Sequence, residues 1–402
     1  MLIETYNIEL TPDSETLGYW RHVLETARDA FNHCARRIAE TKCGFSLKAV
    51  HSLCYDETRR LFPDLSSQMA IKCEQAAAAA LKSIRSNKHR NADTPVRKSL
   101  CMTLDKRLYG LLNVNGITLT GPVRGRRSLV PFKLYGKAEH MLRTFKSCDP
   151  TLFMRDGRLF LSVPFEVPEK PQSNEDCIGV DLGMRRLFVT SEGIAFRDAD
   201  YARKRRQVRY LKSMLKGVKT RSSERHLRRL SRKERNLSKD MCHRAANALV
   251  GSTEAGVIVM EDLSGIKRKT SRAEDGHRRK RHNNAMSQVP FFRFKQIVEH
   301  KAQLAGKRVE TVSPTWTSQT DSRTDRRDGE RRGRRYICSD SAVLDSDWNA
   351  AVNIGKRSRH PVSNTVPKDG TLTFLTGRAQ SAARTPSTTV CHGKPTNSFV
   401  GS

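Results

Sequence analysis

Three acidic side chains stand where a fold can gather them. Asp181 ends the apolar run Cys177–Val180, Glu261 ends the run Val257–Met260, and Asp347 opens the stretch DWNAAVNI. Eighty residues separate the first two and eighty-six the last two, so any shared site must be assembled by folding. Strand ends can set carboxylates side by side. An Asp at a helix start is favoured by free N–H groups and the helix dipole. Taken singly, each acid also reads as a turn, cap or first solvated residue, and Asp345 competes with Asp347 as the cap. Together they read differently. Converging carboxylates repel one another and call for cations, and hard oxygen donors favour magnesium, with manganese as a substitute. Two such ions about 4 Å apart can clamp the attacking water and the leaving oxygen of a phosphodiester.

The charge names the class of partner. The 402 residues carry 74 Lys and Arg against 42 Asp and Glu, a net charge of +32. Lys and Arg replace the counterions condensed on phosphates, so nucleic acid fits this excess. Between Arg203 and Lys239, sixteen Lys or Arg face only Glu224 and Glu234. Like charges at helical spacing repel, which favours phosphate contact over a merely solvated face. The candidates are Arg203, Arg205, Arg206, Arg209, Lys212, Arg228 and Arg232, with Arg124, Arg126 and Arg127 in VRGRR and Arg334 and Arg335 further on. A second basic run, Lys267–Arg281, reads equally as a mobile loop or a linker. Tyr6, Trp20, Phe31, Tyr55 and Phe62 can stack on bases but more often belong to a core.

Other classes recede. No apolar run approaches the ~20 residues of a membrane span, so no membrane partner is expected. The opening MLIETYNIELTP lacks a basic start followed by an apolar stretch, so no signal peptide is expected. The ten cysteines include no CxxC pair, which suits free thiols in a reducing prokaryotic cytoplasm.

The elements that must position these groups follow from periodicity. Leu2–Leu10 alternates as a strand. Leu17, Trp20, Leu24, Ala27 and Phe31, then Ala70, Cys73, Ala77 and Leu81, fall at helical spacing, with a break at Pro63–Asp64. Short β-prone runs punctuated by Gly and Pro fill 99–168, and Leu2–Leu10 can complete a small barrel with them. Cys177–Arg197 reads as a three-strand meander, followed by a basic helical stretch to about Val250, a buried strand GVIVMEDL, a helix over Phe291–Ala305, a strand KRVETVS and a helix over Asp345–Ile354. From about Ser358 the tail is rich in Ser, Thr, Pro and Gly and is expected to be disordered.

Three runs carry a family resemblance. IGVDLGMRRLFVTSEG, VIVMEDLSGIK and DSDWNAAVNIG resemble the three RuvC motifs of TnpB proteins, transposon-encoded relatives of type V CRISPR nucleases. TWTSQT and QVPFFRFKQIVEHKA are similar to family stretches as well. The resemblance is strong over about 176–355; in the first half only the domain order matches. It implies an α+β multidomain fold: a wedge-like β-barrel over 1–12 and 95–170, a helical recognition lobe inserted at 13–94, and an RNase H-like nuclease domain over 176–357 with a basic insertion at 200–250. It implies a two-ion Mg2+ site on Asp181, Glu261 and Asp347, with Asp345 beside it. It further implies a guide RNA from the transposon end, and double-stranded target DNA with a short flanking motif, held in the nucleoid. The function implied is RNA-guided DNA cleavage. A guided binder without cleavage and a strand-transferring transposase are the alternatives.

One departure stands out. The family carries a ribbon of two CxxC pairs, which here would fall on Asp321 and Thr324 and on Cys338 and Ser341. Tetrahedral zinc needs four N or S ligands, so no structural zinc is expected in the degenerate insert 317–343. Its Arg334–Tyr336 cluster remains a candidate grip on a backbone.

Overall fold

The computed structural model describes residues 1–41, 44–86, 94–120, 126–263, 290–363 and 372–376. It divides into two compact units, Met1–Pro168 and Glu169–Ser402. The class is α+β.

The first unit is built on an eight-stranded sheet. Strands β1 (Leu2–Leu10), β2 (Cys101–Thr103), β3 (Tyr109–Asn113), β4 (Gly116–Thr120), β5 (Arg127–Lys133), β6 (Lys146–Ser147), β7 (Thr151–Arg155) and β8 (Arg158–Val167) lie in the order β2-β7-β8-β1-β5-β4-β3, with β6 beside β8. The first strand pairs along its length with β8, Ile8 opposite Leu161. Among the described residues no pairing joins β2 to β3, so the expected barrel is a curved open sheet, a half-barrel. Three helices intervene between β1 and β2: α1 (Ser14–Thr41), α2 (Leu47–Leu61) and α3 (Ser67–Ser86). A short helix, α4 (Gly136–Thr144), follows β5. Trp20, Leu24 and Cys73 pack on the sheet with Ile8, Leu161 and Phe165. Phe31, Ile38, Val50, Cys54, Ala77 and Leu81 form a separate core among the helices. Trp20 and Phe31 are thus core residues, 0% and 2% exposed, and do not offer faces for base stacking.

The second unit carries a six-stranded sheet of β9 (Cys177–Leu182), β10 (Phe188–Thr190), β11 (Ile194–Arg197), β12 (Val257–Glu261), β13 (Arg308–Val312) and β17 (Thr373–Thr376). The order is β13-β12-β9-β10-β11-β17. The meander β9-β10-β11 is antiparallel, while β12 runs parallel to β9 and β13 to β12. Helices α5 (Ala199–Lys216), α6 (Arg221–Gly251) and α7 (Phe291–Leu304) precede α8 (Ser346–Lys356). A three-stranded insert of β14 (Glu330–Arg332), β15 (Arg335–Ile337) and β16 (Val343–Asp345) sits just before α8.

Helices cover both faces of this sheet, which is why β9 and β12 read as unbroken apolar runs rather than alternating ones. Ile178, Val180, Ile258 and Met260 pack with α6 and α7 through Ala245, Leu249, Phe294 and Val298. Cys177, Val257 and Val259 pack with Ile354 of α8 on the other face. The basic helical stretch expected over 201–250 is two helices. Gly217 closes α5, Lys219 takes left-handed backbone at φ 46, and a Thr220–Ser223 capping box opens α6. Within the stretch expected to be disordered, Thr373–Thr376 forms β17, which lies parallel to β11. Arg124 and the whole run Lys267–Arg281 lie outside the described residues.

Candidate active site

Alternation along the strands puts the three acids on one side. In β9 and β12 every second residue faces α8: Cys177 and Gly179 lead to Asp181, and Val257 and Val259 lead to Glu261. Asp347 lies in the first turn of α8 itself. The helix is held hard against the sheet. A Cβ on Gly179 would fall 1.9 Å from the Ala351 carbonyl oxygen. The Trp348 indole donates to the Ser191 carbonyl at 2.9 Å, and the Ser191 hydroxyl accepts from the Gly179 N–H at 3.1 Å.

The cap of α8 is Asp345, whose carboxylate accepts from the Asp347 and Trp348 N–H groups at 3.1 and 3.2 Å. Capping is therefore done by the neighbour, and the Asp347 carboxylate is left for other work. Two arginines engage this pair. Arg186, almost fully buried, donates to Asp345 at 2.7 Å and lies 3.5 Å from Asp347. Arg331, on β14, donates to Asp347 at 3.1 Å. The Thr317 hydroxyl donates to Glu261. Arg186 and Arg331 were not among the sequence candidates. Arg186 is five residues after Asp181 within the first motif, whereas the contact of Arg331 depends on a hairpin whose register no spacing reveals.

Half-buried Asp181 has its carboxyl pushed up to about 8, first by loss of water and then by the charges of Glu261 and Asp347. Burial also raises Glu261, against the Thr317 hydroxyl and the nearby Arg357 and Arg331. Asp181 therefore feels the charges of both other acids. Among the described residues, no three Asp, Glu, His or Cys side chains close into a ready cage for an ion. The donor set still fits a hard divalent cation: carboxylate oxygens, mutual repulsion, and a position already favouring the positive charge of Arg331. The ribbon positions do not fit zinc. Asp321 and Cys338 are bonded to each other, and Thr324 and Ser341 offer only hydroxyls.

The raised Asp181 gives a signed pH dependence. Its folded value lies above its ordinary one, so ionising it opposes folding, and that penalty grows as pH climbs from about 4 to about 8. Without divalent ions, Asp181→Asn should match wild type near pH 4 and melt higher by more than about 3 °C at pH 8. Added magnesium should raise the wild-type melting temperature and leave the variant unmoved. Differential scanning fluorimetry across that range checks both.

The basic candidates divide. Arg205 and Lys212 on α5 both reach Glu234 on α6, at 3.6 and 2.9 Å, so they knit the two helices together. Arg203 pairs with Asp200 at 3.0 Å. Arg206, Arg209, Arg228 and Arg232 are exposed, with Arg228 4.0 Å from Glu224. Arg126 and Arg127 are exposed in the first unit, and Arg127 donates to the Arg107 carbonyl. Arg334 and Arg335 are exposed on the insert. Tyr336 is fully buried and donates to the Gln319 carbonyl, so it cannot join them in gripping a backbone.

Two family models match the chain. Residues 160–264 match the probable transposase family OrfB_IS605, and residues 291–354 match the Cas12f1-like TNB domain. A CRISPR-associated endodeoxyribonuclease, Cas12f2 of a Micrarchaeota archaeon (strain CG1_02_47_40), is 29% identical over 210 residues, 45% of this chain. The match spans 37% of that relative's own length. In a solved Cas12f1–sgRNA–target DNA complex, the protein shares the fold with a TM-score of 0.57 at 14% identity, over 84% of this chain and 81% of that one. By these matches the chain is similar, over parts of its length, to OrfB_IS605 transposases and to Cas12f nucleases, and it shares the Cas12f1 fold.

Proposed function

We propose that this chain is a TnpB-like relative of the type V effectors and an RNA-guided DNA endonuclease of a transposable element, with an RNase H-like nuclease unit whose metal site is Asp181, Glu261 and Asp347. The observation that carries the reading is the placement of two strand-end carboxylates and one helix-start carboxylate on the α8 side of the sheet, where burial and then the charges of Glu261 and Asp347 raise Asp181. Relatives named as an endodeoxyribonuclease and as an sgRNA–target DNA complex support it.

Asp181, Glu261 and Asp347 would hold the divalent ions, magnesium first. Bound there, the ions supply an activated water and charge neutralisation at the scissile phosphate. The chain's own residues do the rest. Asp345 fixes the first turn of α8, so Asp347 presents its carboxylate from a rigid frame. Arg186 holds Asp345 from within the protein. Thr317 orients Glu261. Arg331 donates to Asp347 and carries a planar fork that suits a phosphate beside it.

Sequence choice falls to a guide RNA from the transposon end pairing with the target strand, while the protein holds the heteroduplex by its backbone and reads a short flanking motif. Exposed Arg206, Arg209, Arg228 and Arg232 on α5 and α6 suit such a phosphate track. If they form one, Arg228→Ala with Arg232→Ala should weaken binding to all sequences and lower the salt slope by about one to two units. An unchanged slope in a salt titration would return these helices to a solvated surface. The test of the whole reading is to sequence the RNA that co-purifies with the protein and offer the complex a plasmid bearing the matching target with magnesium. Wild type that binds its target but cuts under no divalent ion would leave a guided binder. Joined rather than cut DNA would indicate strand transfer.

A further inference from the structure

The insert that lacks its metal ligands is nonetheless closely cross-linked. Two turns approach each other in it. In the first, the Asp321 N–H donates to the Arg326 carbonyl at 2.8 Å and Asp325 takes left-handed backbone at φ 58. In the second, the Cys338 N–H donates to the Ala342 carbonyl at 2.9 Å and Ser341 takes φ 66. Between them lies one guanidinium. Arg323 reaches the fully buried Asp321 at 3.1 Å and grips Asp340 through two nitrogens, at 2.8 and 3.0 Å. The Arg323 N–H also donates to Asp321 at 2.8 Å, and the Cys338 thiol bonds the same carboxylate. Paired, bidentate contacts of this kind are the strong ones among charged hydrogen bonds.

Each turn leads to the acids. The first is tied to α8: the Asn349 amide oxygen accepts from Ser322 N–H at 2.8 Å, and Lys356 bonds the Ser322 carbonyl at 2.7 Å and Asp325 at 2.8 Å. The second sits between β15 and β16, and β15 carries β14, whose Arg331 meets Asp347 at 3.1 Å.

We propose that Arg323 takes the cross-linking place of a ribbon zinc, joining the two turns through its guanidinium at the surface of the insert and thereby positioning Arg331 against Asp347. A metal does this with four bonds to soft donors. Here one planar fork does it with two carboxylates, and burial together with the Asp321 bond pushes the Cys338 thiol up to about 11, away from the thiolate a metal would need. The cross-link stands on geometry alone; its consequence for cutting rests on the nuclease reading above.

The experiment compares wild type, Arg323→Ala, Arg323→Lys, Arg331→Ala, the double variant Arg323→Ala/Arg331→Ala, and a metal-restoring variant that combines Arg323→Ala with Asp321→Cys, Thr324→Cys and Ser341→Cys and keeps Cys338. Zinc is counted by elemental analysis, melting is followed with and without chelator, and cleavage of a guide-matched target is resolved into kcat and KM. Wild type should carry well under one zinc per chain and melt alike with chelator. Arg323→Ala should melt lower and lose about tenfold or more in kcat at nearly constant KM, as small misplacements of a site do. Arg323→Lys should recover part of both, and Arg323→Ala should add little to Arg331→Ala. The metal-restoring variant should bind one zinc, regain melting temperature and become chelator-sensitive. One zinc per wild-type chain overturns the proposal, as does an Arg323→Ala protein unchanged in melting and kcat, or losses at 323 and 331 that multiply. Should the metal-restoring variant not fold, the Arg323→Ala and Arg323→Lys pair decides. A wild type that never cuts sinks the nuclease reading, and zinc content and melting still judge the cross-link.

Discussion

Asp181→Ala is expected to reduce cutting of a guide-matched plasmid by roughly three orders of magnitude or more, with guided binding kept within about threefold. The charges of Glu261 and Asp347 both act on this carboxylate, so on the proposed reading removing it removes a donor to the divalent ions. On the proposed reading, affinity has other sources: base pairing by the guide, and Lys and Arg contacts elsewhere. Loss of one of three mutually repelling acids even eases approach of a phosphate. Linear product and gel-shift affinity, measured on the same preparations with magnesium, separate the two effects. If binding collapsed along with cutting, Asp181 would be holding the fold rather than an ion.

Gly179→Ala should be strongly damaging. The added Cβ would sit 1.9 Å from the Ala351 carbonyl oxygen and 2.3 Å from the Gly355 nitrogen, both backbone atoms of α8 that cannot swing aside. Something must shift, and the whole helix is what shifts, carrying Asp347 with it. Overpacking against backbone should cost about 3 kcal/mol or more. Soluble yield and urea unfolding measure it. Gly18→Ala is the control: nothing lies within 4 Å of its new methyl on α1, so it should be neutral or stabilising by up to about 1 kcal/mol.

Much of this was legible in the chain. Apolar runs ending in a lone acid announced β9 and β12, because a strand buried on both faces has no polar residue until it emerges. Helical spacing announced α1 and α3, and DWNAAVNI announced α8. What stayed hidden depends on long-range packing. The half-barrel's open edge is set by which strands pair, and periodicity does not encode pairing. Whether Asp345 or Asp347 caps α8 was undecidable from spacing, since either can serve; the fold gives the cap to Asp345. The charge count over 203–239 treated all cations alike, yet Arg205 and Lys212 are drawn inward by one glutamate on the neighbouring helix. Arg331 reaches Asp347 only through a hairpin, and no motif marks it.

The parallel pairing of β17 on β11 bears on how far the chain can be shortened for use as a compact tool. Residues Thr373–Thr376 satisfy the outer backbone groups of Ile194–Arg197. A version trimmed after residue 363 would bare that edge, and bare edges recruit strands from other molecules. Size reduction that keeps the protein dispersed should therefore begin beyond Thr376, or replace the lost strand with a charged residue or a proline on β11.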